Sequence, residues 1–458
     1  VRYVSSRGAA PELGFADVLL AGLAADGGLY VPAEWPGLAV PDGATTYAEV
    51  ATEVMAPFVA PDLSRDELAP LVADAYATFD HPDVVPLRQL ADGTWLLELF
   101  HGPTLAFKDV ALQLVGRLFD HELTRRGQRV TVVGATSGDT GSAAIAALAG
   151  LPSVDVVILH PAGRVSEVQR RQMTTVDADN VRNVAVDGTF DDCQDLVKAM
   201  FADEPFRHAQ RLAAVNSINW ARVMAQLVYY VTAQRALGGP VSFSVPTGNF
   251  GNVFAGYGAM RCGLPVRRLI VGSNRNDILT RFFATGTMAI EQVVPTLSPS
   301  MDIQVSSNLE RLLFELNGRD GAALAELMTA FRSEGTVSFP AELLGRVSET
   351  FTGASVDDDA TVATIRDVHE RDGVLVDPHT AVGLAAARRV GLGDGPTVVL
   401  ATAHPAKFPD AVEAATGIRP PLPDRLADLF ERPERVELLA NDLTAVESFV
   451  EGFTAARA

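Results

Sequence analysis

From about residue 96 onward, short apolar runs rich in valine alternate with alanine-rich stretches of helical length, and this alternation leaves few folds open. Residues 130–133, 154–159, 181–186, 241–245, 269–271 and 397–400 are short runs dominated by β-branched and other apolar residues. Strands buried on both faces read this way, and helices cover both faces when the sheet is parallel. The pattern predicts an α/β protein with helices on either side of its sheets. Ser166-x-x-Gln169 matches a capping box and Thr189-x-x-Asp192 resembles one, so each predicts a helix start with a structural role. No fixed-period repeat is present, which removes solenoids and propellers.

Residues 1–90 read differently, as mixed and mostly helical material. Residues 15–23, 47–59 and 66–79 are helix-compatible, Asp26-Gly27-Gly28 is a turn, and His81-Pro82 closes the region. A small amino-terminal domain is expected there, and 458 residues allow two or three domains in all. Residues 282–359 give no clear pattern. The net charge of −20 repels nucleic acid and anionic membrane, though a local cluster of N–H groups and arginines can still bind a small anion. No apolar run has membrane-spanning length, and no signal peptide is visible. Two cysteines, Cys193 and Cys262, lie far apart and outside any metal-ligand spacing, so a reducing, cytoplasmic setting without metal is expected.

Among 37 basic residues only Lys108, Lys198 and Lys407 are lysines. Where a plain positive charge suffices this chain writes arginine, which makes each lysine a candidate for chemistry that arginine cannot do. An amine loses its proton near neutrality when desolvated and then attacks carbonyls, whereas a guanidinium stays charged. Lys108 lies in His101-Gly102-Pro103-Thr104-Leu105-Ala106-Phe107-Lys108-Asp109, expected to be a loop.

Three further loops follow predicted strands. Gly134-Ala135-Thr136-Ser137-Gly138-Asp139-Thr140-Gly141-Ser142 precedes a helix, where free N–H groups, the helix dipole and hydroxyls form a pocket for carboxylate or phosphate. Such a turn is equally an ordinary cap when it stands alone. Pro246-Thr247-Gly248-Asn249-Phe250-Gly251-Asn252 repeats the arrangement, with neither a Walker A lysine nor the Gly-x-Gly-x-x-Gly spacing. Ala401-Thr402-Ala403-His404-Pro405-Ala406-Lys407-Phe408 places a hydroxyl, an imidazole and an amine at a strand's carboxyl end, where open α/β sheets bind ligands. His404 by itself is better read as packed or capping. An amine, two anion cradles and a hydroxyl together match the needs of pyridoxal 5'-phosphate.

These segments, with Val215-Asn216-Ser217-Ile218-Asn219-Trp220-Ala221-Arg222, resemble the threonine synthases in sequence and in order, from Tyr3 through Asp26-Gly27-Gly28-Leu29-Tyr30 to Phe408. The resemblance implies the pyridoxal-phosphate fold type II of the tryptophan synthase β family, with two parallel-sheet α/β domains, the cofactor between them and a small helical amino-terminal domain. Expected boundaries are 1–90 for that domain, 91–238 for the smaller α/β domain with the lysine and substrate loops, and 239–458 for the larger one. The implied reaction converts O-phospho-L-homoserine and water to L-threonine and phosphate, in a monomer or homodimer.

The resemblance also implies roles. Lys108 would carry the cofactor as a Schiff base and move protons, Gly248, Asn249, Phe250, Gly251 and Asn252 would hold its phosphate, and Thr402 would meet the pyridine nitrogen. Asp139 would approach the ring hydroxyl, where related enzymes often carry Asn. Thr136, Ser137 and Thr140 would receive the substrate carboxylate or phosphate, and Asn216, Ser217, Asn219 and Arg222 would grip the substrate phosphate. A dehydratase or cysteine synthase of the same fold would need only a carboxylate pocket, which leaves the 216–222 segment without a purpose. A non-catalytic sensor of phosphate metabolites could dispense with Lys108.

Overall fold

The computed structural model describes residues 1–457. Its centre is a six-stranded sheet in the order Phe351–Ser355, Val266–Ser273, Val241–Pro246, Thr397–Ala401, Trp95–Glu98, Leu87–Gln89. The first five strands are mutually parallel and Leu87–Gln89 runs antiparallel at the edge. A second, all-parallel sheet has the order Glu437–Ala440, Val181–Asp187, Val154–Pro161, Val130–Ala135, Leu212–Ala213. Every residue of Val154–Pro161, Val241–Pro246 and Thr397–Ala401 is buried, as in parallel strands covered by helices on both faces. Helix Pro378–Val390 packs on the large sheet, while Lys108–Arg126 and Asp139–Leu148 pair with each other beside the small one.

Sheet membership crosses the boundaries expected at 91 and 239. Trp95–Glu98, expected in the smaller α/β unit, is an inner strand of the large sheet, in register with Thr397–Ala401. Glu437–Ala440, expected in the larger unit, forms the edge of the small sheet beside Val181–Asp187. Residues 282–359 contain the helices Leu309–Leu316, Gly321–Glu334 and Ala341–Thr350 and a short antiparallel ribbon of Thr287–Ala289 with Thr336–Ser338.

The amino-terminal region pairs Tyr3–Ser5 with Tyr30–Pro32 and adds the helices Phe15–Ala21, Tyr47–Val59 and Arg65–Tyr76. Full capping boxes start the last two, at Thr46 with Glu49 and Ser64 with Glu67. The region is not a separate bead. Trp220, fully buried, packs on Tyr3, Phe58 and Trp35 and donates its indole N–H to Tyr3 Oη at 3.0 Å. Truncating such a side chain costs about 3–5 kcal/mol, so this aromatic cluster binds the amino-terminal region firmly to helix Trp220–Leu237. No helix among the described residues is long and apolar enough to cross a membrane.

Candidate active site

Lys108 is the first residue of helix Lys108–Arg126, not part of a loop as expected. The approach to it is tightly braced. Gly102 has no room for a side chain, since a Cβ there would stand 2.4 Å from Asp109 Cβ, and Asp109 accepts from Thr104 N at 2.8 Å and Thr104 Oγ1 at 2.7 Å. Backbone bonds Phe107 N to Thr402 O and His404 N to Leu105 O sew the segment to the end of strand Thr397–Ala401.

The Lys108 amine lies 3.1 Å from Asp139 Oδ2. Burial lowers its pKa from the usual lysine range; Asp139 opposes that shift, and the nearby cations Lys407 and Arg222 reinforce it. Its place at a helix amino terminus further disfavours a positive charge. Asp139 opens helix Asp139–Leu148 and accepts from Gln169 Nε2 at 2.8 Å and Ser300 Oγ at 3.3 Å, while Lys407 Nζ lies 2.9 Å from its Oδ1. Burial works to raise the Asp139 carboxyl, but the two ammonium groups overcome this and hold it well below the usual carboxylate range. It is a fixed anion at neutral pH.

A cavity of about 950 Å³ opens over this group, large enough for a cofactor together with a small substrate. Its floor includes the turn from Gly248 to Asn252, where Phe250 has φ +62° and helix Gly251–Arg261 begins. None of the five N–H groups from Gly248 to Asn252 has an acceptor among the described residues. The turn is held from behind by Ser306 Oγ on Gly248 O at 2.7 Å and by Asn308 Nδ2 on Asn249 O at 3.0 Å. A Cβ on Gly248 would meet Ser300 O at 2.6 Å, so close approach of the two segments requires glycine. Asn252 turns its Oδ1 to Tyr229 and Tyr230, leaving its buried Nδ2 without a partner.

A second cradle lines the same cavity. Thr136 Oγ1 accepts from Gly138 N and Gly141 N, both at 2.9 Å, so this hydroxyl shapes the loop while the N–H groups of Ser137, Asp139 and Thr140 have no acceptor among the described residues. Thr402, Asn216, Ser217 and Arg222 also line the cavity. Arg222 is 4% exposed, donates only to Val215 O at 3.3 Å, and its buried Nε has no partner. Burial pushes its pKa down to about 10.

Asn219 is the exception among the expected site residues. It does not line the cavity; its side chain caps helix Trp220–Leu237 by accepting from Ala221 N at 3.0 Å and donates to Leu19 O at 2.8 Å. His404 likewise caps, accepting from Ala406 N, and burial pushes its pKa down to about 4. Four residues join the site without having been assigned to it. In sequence Gln169 reads only as a cap, Lys407 is marked by lysine rarity and by its strand-end loop, and Ser300 and His379 carry no signal.

Comparison with known proteins agrees with this geometry. The family described as "Threonine synthase N terminus" matches residues 2–76, "Pyridoxal-phosphate dependent enzyme" matches 83–336, and "Threonine synthase, C-terminal" matches 380–450. The threonine synthase of Pseudomonas aeruginosa is 54% identical over 459 aligned positions covering 98% of each chain. The chain belongs to the threonine synthase family. Among solved structures, the pyridoxal-phosphate-bound threonine synthase of Brucella melitensis superposes with a TM-score of 0.96 at 51% identity over 99% of both chains. The Escherichia coli threonine synthase gives 0.82 at 33% identity, covering 99% of this chain and 100% of that one. The fold is that of the pyridoxal-phosphate-dependent threonine synthases, and the donor set fits the cofactor: a buried amine, a row of unpartnered N–H groups and a strand-end hydroxyl around one cavity.

Proposed function

We propose that this enzyme converts O-phospho-L-homoserine and water to L-threonine and inorganic phosphate, the last step of threonine biosynthesis. The observation that carries the choice of substrate is Arg222. A buried guanidinium with no carboxylate partner among the described residues and an unpartnered Nε is costly to fold, and a phosphate monoester offers it the acceptor it lacks. A carboxylate-only substrate would already be served by the Thr136–Thr140 cradle.

In this reading the N–H groups of Gly248 to Asn252 hold the cofactor phosphate, Thr402 meets the ring nitrogen as a neutral hydroxyl, and Lys108 takes the aldehyde carbon. Bound there, pyridoxal phosphate supplies a conjugated acceptor for negative charge developing on the substrate carbons. Thr136, Ser137 and Thr140 receive the substrate carboxylate, which fixes the reacting carbons within reach of Lys108. Once free, the Lys108 amine takes and returns protons along the substrate chain, a task suited to an amine with a lowered pKa. Asn216, Ser217 and Arg222 hold the substrate phosphate. Asn219 is left out, being committed to its cap.

The test is product analysis. Purified protein given O-phospho-L-homoserine should release phosphate and L-threonine in equal amounts, and it should release no comparable ammonia from L-serine or L-threonine. Ammonia as the main product would place the enzyme with the dehydratases. The same reading carries a cytoplasmic location and no nucleic-acid or membrane partner, in keeping with the net charge of −20 and two buried, unpaired cysteines. Sedimentation distinguishes the monomer from the homodimer.

A further inference from the structure

The buried amine that this scheme does not use is Lys407, on the short helical turn Pro405–Lys407. Its side chain is completely buried, and its Nζ stands among three acceptors: Asp139 Oδ1 at 2.9 Å, Thr104 O at 2.7 Å and Gln172 Oε1 at 3.1 Å. An ammonium has three N–H donors, so this environment matches the charged form. Lys108 shares the same carboxylate but has a single such contact, at 3.1 Å, and begins a helix whose positive end disfavours a cation. Two lysines therefore compete for one anion on unequal terms.

We infer that Lys407 is a positioning residue: its ammonium holds Asp139 in place and leaves Lys108 as the lysine that releases its proton and attacks the cofactor aldehyde. This rests on the assignment of Lys108 as the cofactor lysine. The charged groups near Lys108 are Asp139 from helix Asp139–Leu148, Lys407 from its turn and Arg222 from helix Trp220–Leu237; Asp302 and His379 line the same cavity. Two of the first three are cations, and both act to release the Lys108 proton. In the attachment step the Nζ lone pair bonds to the aldehyde carbon, the carbonyl oxygen leaves as water with the two amine protons, and no oxidation occurs. Only the neutral amine can begin it.

The rate of pyridoxal phosphate uptake by the full chain freed of cofactor, followed by its absorbance across about pH 6 to 10, reads this directly. Lys407→Met keeps the stem and removes the charge, so the pH at which uptake becomes fast should rise by about one unit, slowing uptake at pH 7 on the order of tenfold with recovery at higher pH. Lys407→Arg should keep the wild-type limb. A Met variant whose limb coincides with wild type, or an Arg variant shifted as far as Met, overturns the inference. Should the Met variant fail to fold, reductive methylation of the wild-type chain decides, because only three lysines exist. Lys108 should react faster at neutral pH than exposed Lys198, and Lys407 should stay unmodified; equal modification of Lys108 and Lys407 overturns it. Borohydride trapping of pyridoxal phosphate away from Lys108 in the wild type would instead refute the cofactor-lysine assignment.

Discussion

The side-chain amide of Gln169 donates to the Asp139 carboxylate, Nε2 to Oδ1 at 2.8 Å, while the backbone N–H of the same glutamine donates to Ser166 Oγ at 3.3 Å. One residue thus serves a helix start with its backbone and the buried carboxylate with its side chain. Asp139 collects contacts from Lys108, Lys407, Gln169 and Ser300, which come from four separate segments. It is the electrostatic centre of the site.

Asp139→Asn should therefore cost about 3–5 kcal/mol of stability at neutral pH, since it removes the buried anion that Lys407 and Lys108 share. The sign with pH follows from the lowered carboxyl. Its stabilising contribution is complete above the unfolded value of about 3.9 and disappears as pH falls through the lower folded value. Denaturant midpoints of wild type and variant should therefore differ widely at pH 7 and converge in strong acid. A gap independent of pH would show that the Asp139 charge does not stabilise the fold.

Arg222→Ala should leave cofactor attachment intact and reduce kcat/KM for O-phospho-L-homoserine about tenfold to a hundredfold, the equivalent of losing a charged hydrogen bond worth roughly 1.5–3 kcal/mol. Arg222→Lys should fall between, because an ammonium cannot make the planar two-point contact. Steady-state kinetics with phosphate release as readout will show it; an unchanged kcat/KM removes Arg222 from the substrate site.

At Gly248, alanine would press its Cβ against Ser300 O and Met301 Cα, both backbone atoms. Relief requires the turn to move, at about 1–3 kcal/mol. Pyridoxal phosphate should bind Gly248→Ala on the order of tenfold to a hundredfold more weakly by titration. Equal affinity would place the cofactor phosphate elsewhere.

Thr402→Asp should favour a protonated pyridine nitrogen, because a nearby carboxylate stabilises the cation. The expected result is a shifted absorption band and side products in place of clean threonine formation. Wild-type spectrum and product ratio together would mean that Thr402 does not face the ring.

The buried strands were legible because burial on both faces favours an apolar run, as in residues 156–159 within Val154–Pro161. The edge strand Glu437–Ala440 was not, since three of its four residues are exposed and its second residue, Leu438, is 70% exposed. Thr287–Ala289 and Thr336–Ser338 are three residues each, too short to show a period. Within the site, Lys108 announced itself through lysine rarity and its neighbours. Gln169 could not, because its capping position gave a sufficient local explanation while its side chain answered to Asp139, thirty residues away. Asn219 misled in the opposite direction: it lies inside a functional segment, yet local hydrogen bonds to a helix start claimed its side chain.

Each sheet draws strands from distant parts of the chain: Trp95–Glu98 needs Thr397–Ala401 beside it, and Val181–Asp187 gains its outer neighbour only from Glu437–Ala440. During synthesis, neither sheet is complete until almost the whole described chain has emerged, so the early strands must wait with unsatisfied edges. Such long-range closure slows folding. It also means that cutting the gene between the two sheets yields no self-sufficient half: each fragment would lack a strand that the other carries.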